Sequence, residues 1–136
     1  EGKSRSSMCE TRGFRVEATP NYLAAQSRPD DSRFVFGYRV RIHNASTETA
    51  RLVSRRWLIV DANGQSHTVE GPGVVGRQPM FAPGESFEYE SFCPLPTSWG
   101  TMEGSYRMEP LNGEAFEVVI ARFYLVAETA NVAGEP

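Results

Sequence analysis

The chain has 136 residues, 40% of them apolar and 23% charged, with a formal net charge of −3. That length suits one domain around one core. The weakly acidic balance excludes the strongly basic footprint of a general nucleic-acid binder, and no apolar run approaches the roughly 20 residues of a membrane-crossing helix. No secretory leader pattern is recognisable, so an intracellular protein is expected, with cytoplasm and organelle matrix both open.

Residues 1–12 and 128–136 are polar or small and lack periodicity. They are expected to be tails flanking a domain over residues 13–127. From Gly13, Phe14, Val16 and Ala18 alternate with Arg15, Glu17 and Thr19, the mark of a half-buried strand that Pro20 ends or places at an edge. Arg28-Pro29-Asp30-Asp31 carries turn chemistry. The next strand is the clearest, with Phe34, Phe36, Tyr38, Val40 and Ile42 on one face and Arg39, Arg41 and His43 on the other. That basic stripe suits a solvated face paired with acids on the next strand, or an anion site. Leu52–Val60 reads as a central strand with Trp57 as a core anchor, and Arg55 and Arg56 must point opposite ways. Asp61-Ala62-Asn63-Gly64 is a hairpin turn.

Gly71, Gly73 and Gly76 then give the spacing G-x-G-x-x-G. A dinucleotide-binding turn needs a helix after these glycines. Pro79 and Pro83 follow at once, and proline in a helix interior costs about 3 kcal/mol, so that fold is excluded. Two readings remain: a wide turn using positive φ, or a nest of backbone N–H groups that binds an anion. The segment Pro79–Pro83 is apolar and either tucks under the core or forms a contact patch. Phe87 and Tyr89 face inward and Glu88 and Glu90 outward. Residues 93–102 read as a long loop carrying Trp99, either a binding anchor or a lid on the sheet end. Strands over 104–109 and 115–126 flank the turn Pro110-Leu111-Asn112-Gly113, and a phase change near Ala121 predicts a bulge. Short strands with Gly, Pro and Asn turns and no amphipathic helix imply an all-β sandwich of about seven antiparallel strands.

Cys9 and Cys93 lack a C-x-x-C or histidine partner, and His43 and His67 are not at ligand spacing, so no metal site and no cofactor are expected. One disulfide is arithmetically open, but reduced thiols suit an intracellular chain.

Ser54-Arg55-Arg56-Trp57 with Asp61, GPGVVGRQP over 71–79, APGESFEYES over 82–91, CPL over 93–95 and GTMEGSYRM over 100–108 resemble the ApaG domain family. The resemblance covers nearly the whole domain. It implies a fibronectin type III-like, immunoglobulin-like sandwich, no established catalysis and a role in protein–protein interaction. In bacteria the family is associated with magnesium and cobalt efflux, and its glycine loop has been discussed as a pyrophosphate contact. The sequence departs from the family pattern at Arg56, usually His, at Phe92, usually Gly, and at Trp99, usually small or polar.

No nucleophile elbow, triad or metal cluster is recognisable. The expectation is a non-catalytic interaction module, alone or within a larger assembly. It would bind another protein through Met80, Phe81, Trp99 and Arg77, because loops on a rigid sandwich can present apolar anchors. The alternative is a sensor of phosphate or pyrophosphate. In it Gly71, Gly73, Val74 and Gly76 supply backbone donors and Arg77 supplies charge.

Overall fold

The computed structural model describes residues 5–127. Nine strands make up nearly all of the regular structure: β1 Ser7–Thr11, β2 Phe14–Tyr22, β3 Phe34–Asn44, β4 Ala50–Asp61, β5 Ser66–Pro72, β6 Met80–Phe81, β7 Ser86–Leu95, β8 Trp99–Pro110 and β9 Phe116–Val126. Two short 3₁₀ turns, Ala24–Gln26 and Pro29–Asp31, lie between β2 and β3. The strands form two antiparallel sheets, ordered β1-β2-β3-β7 and β5-β4-β8-β9, with β6 also paired to β4.

Period-2 alternation builds the core. Val16, Phe36, Val40 and Ile42 from one sheet meet Leu52, Trp57, Tyr106, Ile120 and Phe123 from the other, all buried. Trp57 is 3% exposed. Its ring lies 5.4 Å from Tyr38, 5.9 Å from Phe123 and 6.5 Å from Tyr106, in edge-to-face geometry that adds to area burial. Opposite it on β8 stands Gly104. A Cβ there would lie 2.0 Å from the Arg56 carbonyl oxygen, so only glycine fits. The bulge expected near Ala121 is present, since the register shifts between the pairs Met102–Phe123 and Gly104–Ile120.

Three expectations are corrected. Residues 7–11 are not tail: β1 pairs with β2 and shields the edge of β9. The Ser7 hydroxyl donates to the Ala121 carbonyl at 2.7 Å, and the Val119 amide donates to Thr11 Oγ1 at 3.1 Å. The C-terminal tail over 128–136 lies outside the described residues. Residues 93–102 are not a long loop either, because β7 runs through Pro94 to Leu95 and β8 begins at Trp99. Pro94 is tolerated because β7 is an edge strand, where a missing N–H leaves no ladder gap. With β1 and the short β6 added, the strands number nine rather than about seven.

The basic stripe is a paired solvated face. Arg39 contacts Glu90 at 3.0 Å and Glu88 at 3.7 Å, and Arg41 reaches the Ser86 hydroxyl at 3.4 Å. Cys9 and Cys93 are both free thiols, with Cys93 buried.

Candidate partner-binding surface

The glycine loop is a small protrusion on one edge of β4. β5 pairs with β4 as far as Pro72–Ser54, and β6 resumes pairing at Met80–Arg51. Between them the chain makes a tight hairpin. The Val74 amide donates to the Arg77 carbonyl at 2.8 Å and the Arg77 amide to the Val74 carbonyl at 2.8 Å. The two tip residues, Val75 and Gly76, have φ of 42° and 78°. Positive φ at both is the type I′ arrangement, for which a β-branched Val75 is an unusual occupant. The loop base packs on a bulge in β4 between Leu52 and Ser54. The Gly73 amide and the Gln78 side chain both donate to the Val53 carbonyl at 2.9 Å. Gly73 has no room for a side chain, since a Cβ would sit 2.1 Å from the Arg77 carbonyl oxygen.

This geometry disperses the expected anion nest. Gly71 lies within the β5 ladder opposite Arg55, the Gly73 and Val74 amides are engaged internally, and the Val74 side chain is fully buried. Among the described residues no hydrogen bond engages the Val75 and Gly76 amides at the tip, and the Arg77 guanidinium has no partner. A different cation holds the loop base: Arg55 Nη1 donates to the Pro72 and Gly73 carbonyls at 3.0 and 3.1 Å.

Arg55 also faces a buried tyrosine group. The Tyr89 and Tyr106 hydroxyls are hydrogen-bonded to each other. Burial holds both phenols well above their usual range, against a smaller opposing effect of Arg55. Tyr38 is raised by burial as well, partly offset by its hydrogen bond to Ser91. Burial pushes the Cys93 thiol up to about 11. These groups are kept neutral and packed, the opposite of an activated nucleophile or a poised base.

The residues expected to form one contact surface are separated. Phe81 is 1% exposed and packs edge-on to Phe14 and Phe87, with ring centroids at 6.1 and 6.5 Å. It is a core residue and is withdrawn from the surface. Met80 is exposed beside Arg51, because adjacent strand residues face opposite ways. Trp99 is 47% exposed, but it opens β8, whereas Arg51 pairs near the other end of that strand, at Glu109. At the rise of a strand, Trp99 and Met80 stand roughly 30 Å apart. Phe92, exposed like Trp99, lies on the outer face of the other sheet.

Around Trp99 the outer face mixes apolar and aromatic groups with hydroxyls. Trp99 pairs with Val126, and the neighbouring row is Val60–Thr101–Tyr124, with Tyr124 exposed. Sequence reasoning left Tyr124 and Val126 out of the site. Their signal was the phase after the Ala121 bulge, which sets them opposite the buried Phe123 and Leu125. Farther along the same face a groove of about 510 Å³ is lined by Ser54, Arg56, Glu70, Pro72, Arg107 and Glu117. Its carboxylates are paired: Glu70 with Arg56 at 2.8 Å, and Glu117 with Arg107 at 3.8 Å and the Ser105 hydroxyl at 2.9 Å. Among the described residues no group of three or more His, Cys, Asp or Glu side chains could hold a metal ion.

Fold and surface together define a β-sandwich domain with a tyrosine-lined core, a glycine hairpin on one edge and an exposed tryptophan on an outer face. The ApaG domain model matches residues 24–110, and the chain belongs to that family. It is 54% identical over 115 residues to Protein ApaG of Rhodospirillum centenum, covering 85% of this chain and 88% of that one. It is 55% identical over 115 residues, with the same coverage, to Protein ApaG of Allorhizobium ampelinum. A solved Bordetella pertussis structure, described as an ApaA protein, superimposes with a TM-score of 0.81 at 49% identity, covering 83% of this chain and 92% of that chain. The C-terminal domain of wzt, at 9% identity and a TM-score of 0.53, shares the fold.

Proposed function

We propose that this chain is a non-catalytic interaction module that docks another protein or a multi-protein assembly on the outer face carrying Trp99, Tyr124 and Val126. One observation carries the reading: a large aromatic side chain stays 47% exposed while fixed on a regular strand, beside further apolar groups. Rigid aromatic anchors lose little conformational freedom on binding and dominate interface energetics. Met80 and Arg77 belong to a separate, distal contact. The test is recovery of partner from native cells by the tagged protein, compared with Trp99→Ala at equal folded concentration. An anchor should lose about 2 kcal/mol of binding, roughly thirtyfold in affinity, with melting unchanged. Equal recovery by both proteins rejects the surface.

The unpartnered guanidinium of Arg77, the residue that follows the two tip residues, supports a second reading, a weak contact with inorganic pyrophosphate. Pyrophosphate titration followed at the Val75–Arg77 amides tests it. A flat titration, or one unaltered by Arg77→Ala, removes it.

A further inference from the structure

The sandwich treats its edges unequally. β9 is shielded by β1 through the Ser7 and Thr11 hydroxyls. The β5–β6 edge is interrupted by Pro72 and the glycine hairpin. β7 has neither a covering strand nor an interrupting hairpin: among the described residues it pairs with β3 alone, from Ser86 to Leu95, and Pro94 removes a single N–H near its end. An open edge of this length offers a row of backbone donors and acceptors to an added strand.

The outer face across β2, β3 and β7 shows what that strand would meet. One row reads Glu17–Arg41–Glu88 and the next Thr19–Arg39–Glu90. Charge alternates from strand to strand and ends at the open edge on carboxylates whose side chains are more than half exposed. The third row reads Asn21–Gly37–Phe92, and Phe92 is 63% exposed beside Gly37, over which Asn21 and Leu23 pack: a Cβ at Gly37 would lie 2.9 Å from Asn21 Oδ1 and 3.4 Å from a Leu23 methyl. Gly37 and Phe92 border a groove of about 510 Å³, also lined by Pro20, Leu23 and Ser91. The next strand in such a pattern carries base opposite Glu88, base opposite Glu90 and an apolar group against Phe92. A second copy of β7, laid antiparallel with Glu88 opposite Glu90, would set like charges side by side, so the edge disfavours that self-pairing.

We infer that the open edge of β7 takes an extended segment of another protein as an added strand, with alternate residues basic, basic and apolar against Glu88, Glu90 and Phe92. Main-chain pairing holds the segment and the carboxylates select it. The inference rests on the reading of the chain as an interaction module but uses a different surface from Trp99.

The test titrates the full isotope-labelled chain with a short synthetic peptide that alternates threonine with leucine, arginine and arginine. The amides of β7 should shift. Replacing both arginines by glutamate should weaken binding at least about tenfold, and Glu88→Lys with Glu90→Lys should reverse that preference. Should the reversal variant fail to fold, Glu88→Gln with Glu90→Gln should abolish the preference. N-methylation of the peptide on its pairing edge should eliminate the shifts, and Trp99→Ala should leave the affinity unchanged. Shifts centred on Trp99 and Tyr124, equal binding of the arginine and glutamate peptides, tolerance of N-methylation, or no binding by the arginine peptide would each overturn the edge inference. None of these touches the recovery comparison that judges Trp99, so the two readings fail separately.

Discussion

The two tryptophans occupy the same sheet on neighbouring strands and meet opposite fates. Trp57 faces inward from the middle of β4 and is ringed by Tyr38, Tyr106 and Phe123. Trp99 faces outward from the first position of β8 and meets solvent. Residue type does not separate them; strand phase does. In a sandwich the inner phase answers to packing, so its aromatics come with glycines and bulges shaped around them. The outer phase answers to solvent, so a large apolar group there lacks a packing explanation and carries information about contacts.

The largest expected effect tests the inner half of this contrast. Trp57→Ala should cost about 3–5 kcal/mol in denaturant unfolding, as large aromatic deletions in cores do. An unchanged midpoint would mean that the ring contacts around it contribute nothing to stability.

Gly104→Ala comes next. The added Cβ would meet the Arg56 carbonyl at 2.0 Å, and backbone cannot rotate aside as a side chain can. Overpacking of this kind costs about 1–3 kcal/mol. Gly76→Ala is an informative control, because space is open at Gly76 and only its φ of 78° opposes a side chain. It should cost less, roughly 1 kcal/mol.

This contrast also explains what was legible in the sequence. Alternation in β3, β7 and β9 marked Tyr38, Tyr89 and Ile120 as inward, and the phase change at Ala121 located a real bulge. β1 escaped notice because SMCET has no apolar alternation; its value lies in two hydroxyls that meet β9. The start of β8 was hidden by Pro94, Pro96 and Gly100, which normally punctuate loops. Gly100 is instead a packing glycine, where a Cβ would lie 2.6 Å from the Val60 carbonyl oxygen. The site was less legible than the fold. Adjacent strand residues face opposite ways, so Met80 and Phe81 could form one exposed patch only if the segment were not a strand. The Gly73 amide is engaged by the carbonyl of the bulge residue Val53, a partner that no local spacing reveals.

The neutral interior predicts an alkaline weakness. The folded Cys93 thiol is raised to about 11 from an ordinary value of 9.0, and Tyr89 and Tyr106 are raised from 10.0, all chiefly by burial. A group whose folded pKa lies above its unfolded value gives stability that is complete below the unfolded pKa. That stability is lost as pH rises through the folded one. For Cys93 the loss should run at about 1.4 kcal/mol per pH unit between about 9 and 11, with the tyrosines adding to it above about 10. Cys93→Ala, compared with the parent across this window, should remove the earlier slope whatever it does to stability at neutral pH. Parallel curves from pH 9 to 11 would mean that the thiol ionises without penalty.

Trp99→Ala should have the smallest effect on stability, and that smallness is the point. The ring stands on the outer face, pairs across to Val126 and borders the row of Thr101 and Tyr124. The main chain beneath it is held independently: the Thr97 hydroxyl donates to the Trp99 carbonyl at 2.7 Å, and the Ala127 amide donates to the Ser98 carbonyl at 2.8 Å. Truncation to alanine removes ring contacts and leaves both bonds in place. Surface substitutions of this kind usually fall within about 0.5 kcal/mol. The measurement is the denaturant midpoint beside that of Trp57→Ala in the same buffer. A loss of about 2 kcal/mol or more would make Trp99 a lid on the end of the sandwich. The contrast between the two tryptophans would then be one of degree, and the proposed docking face would lose its anchor.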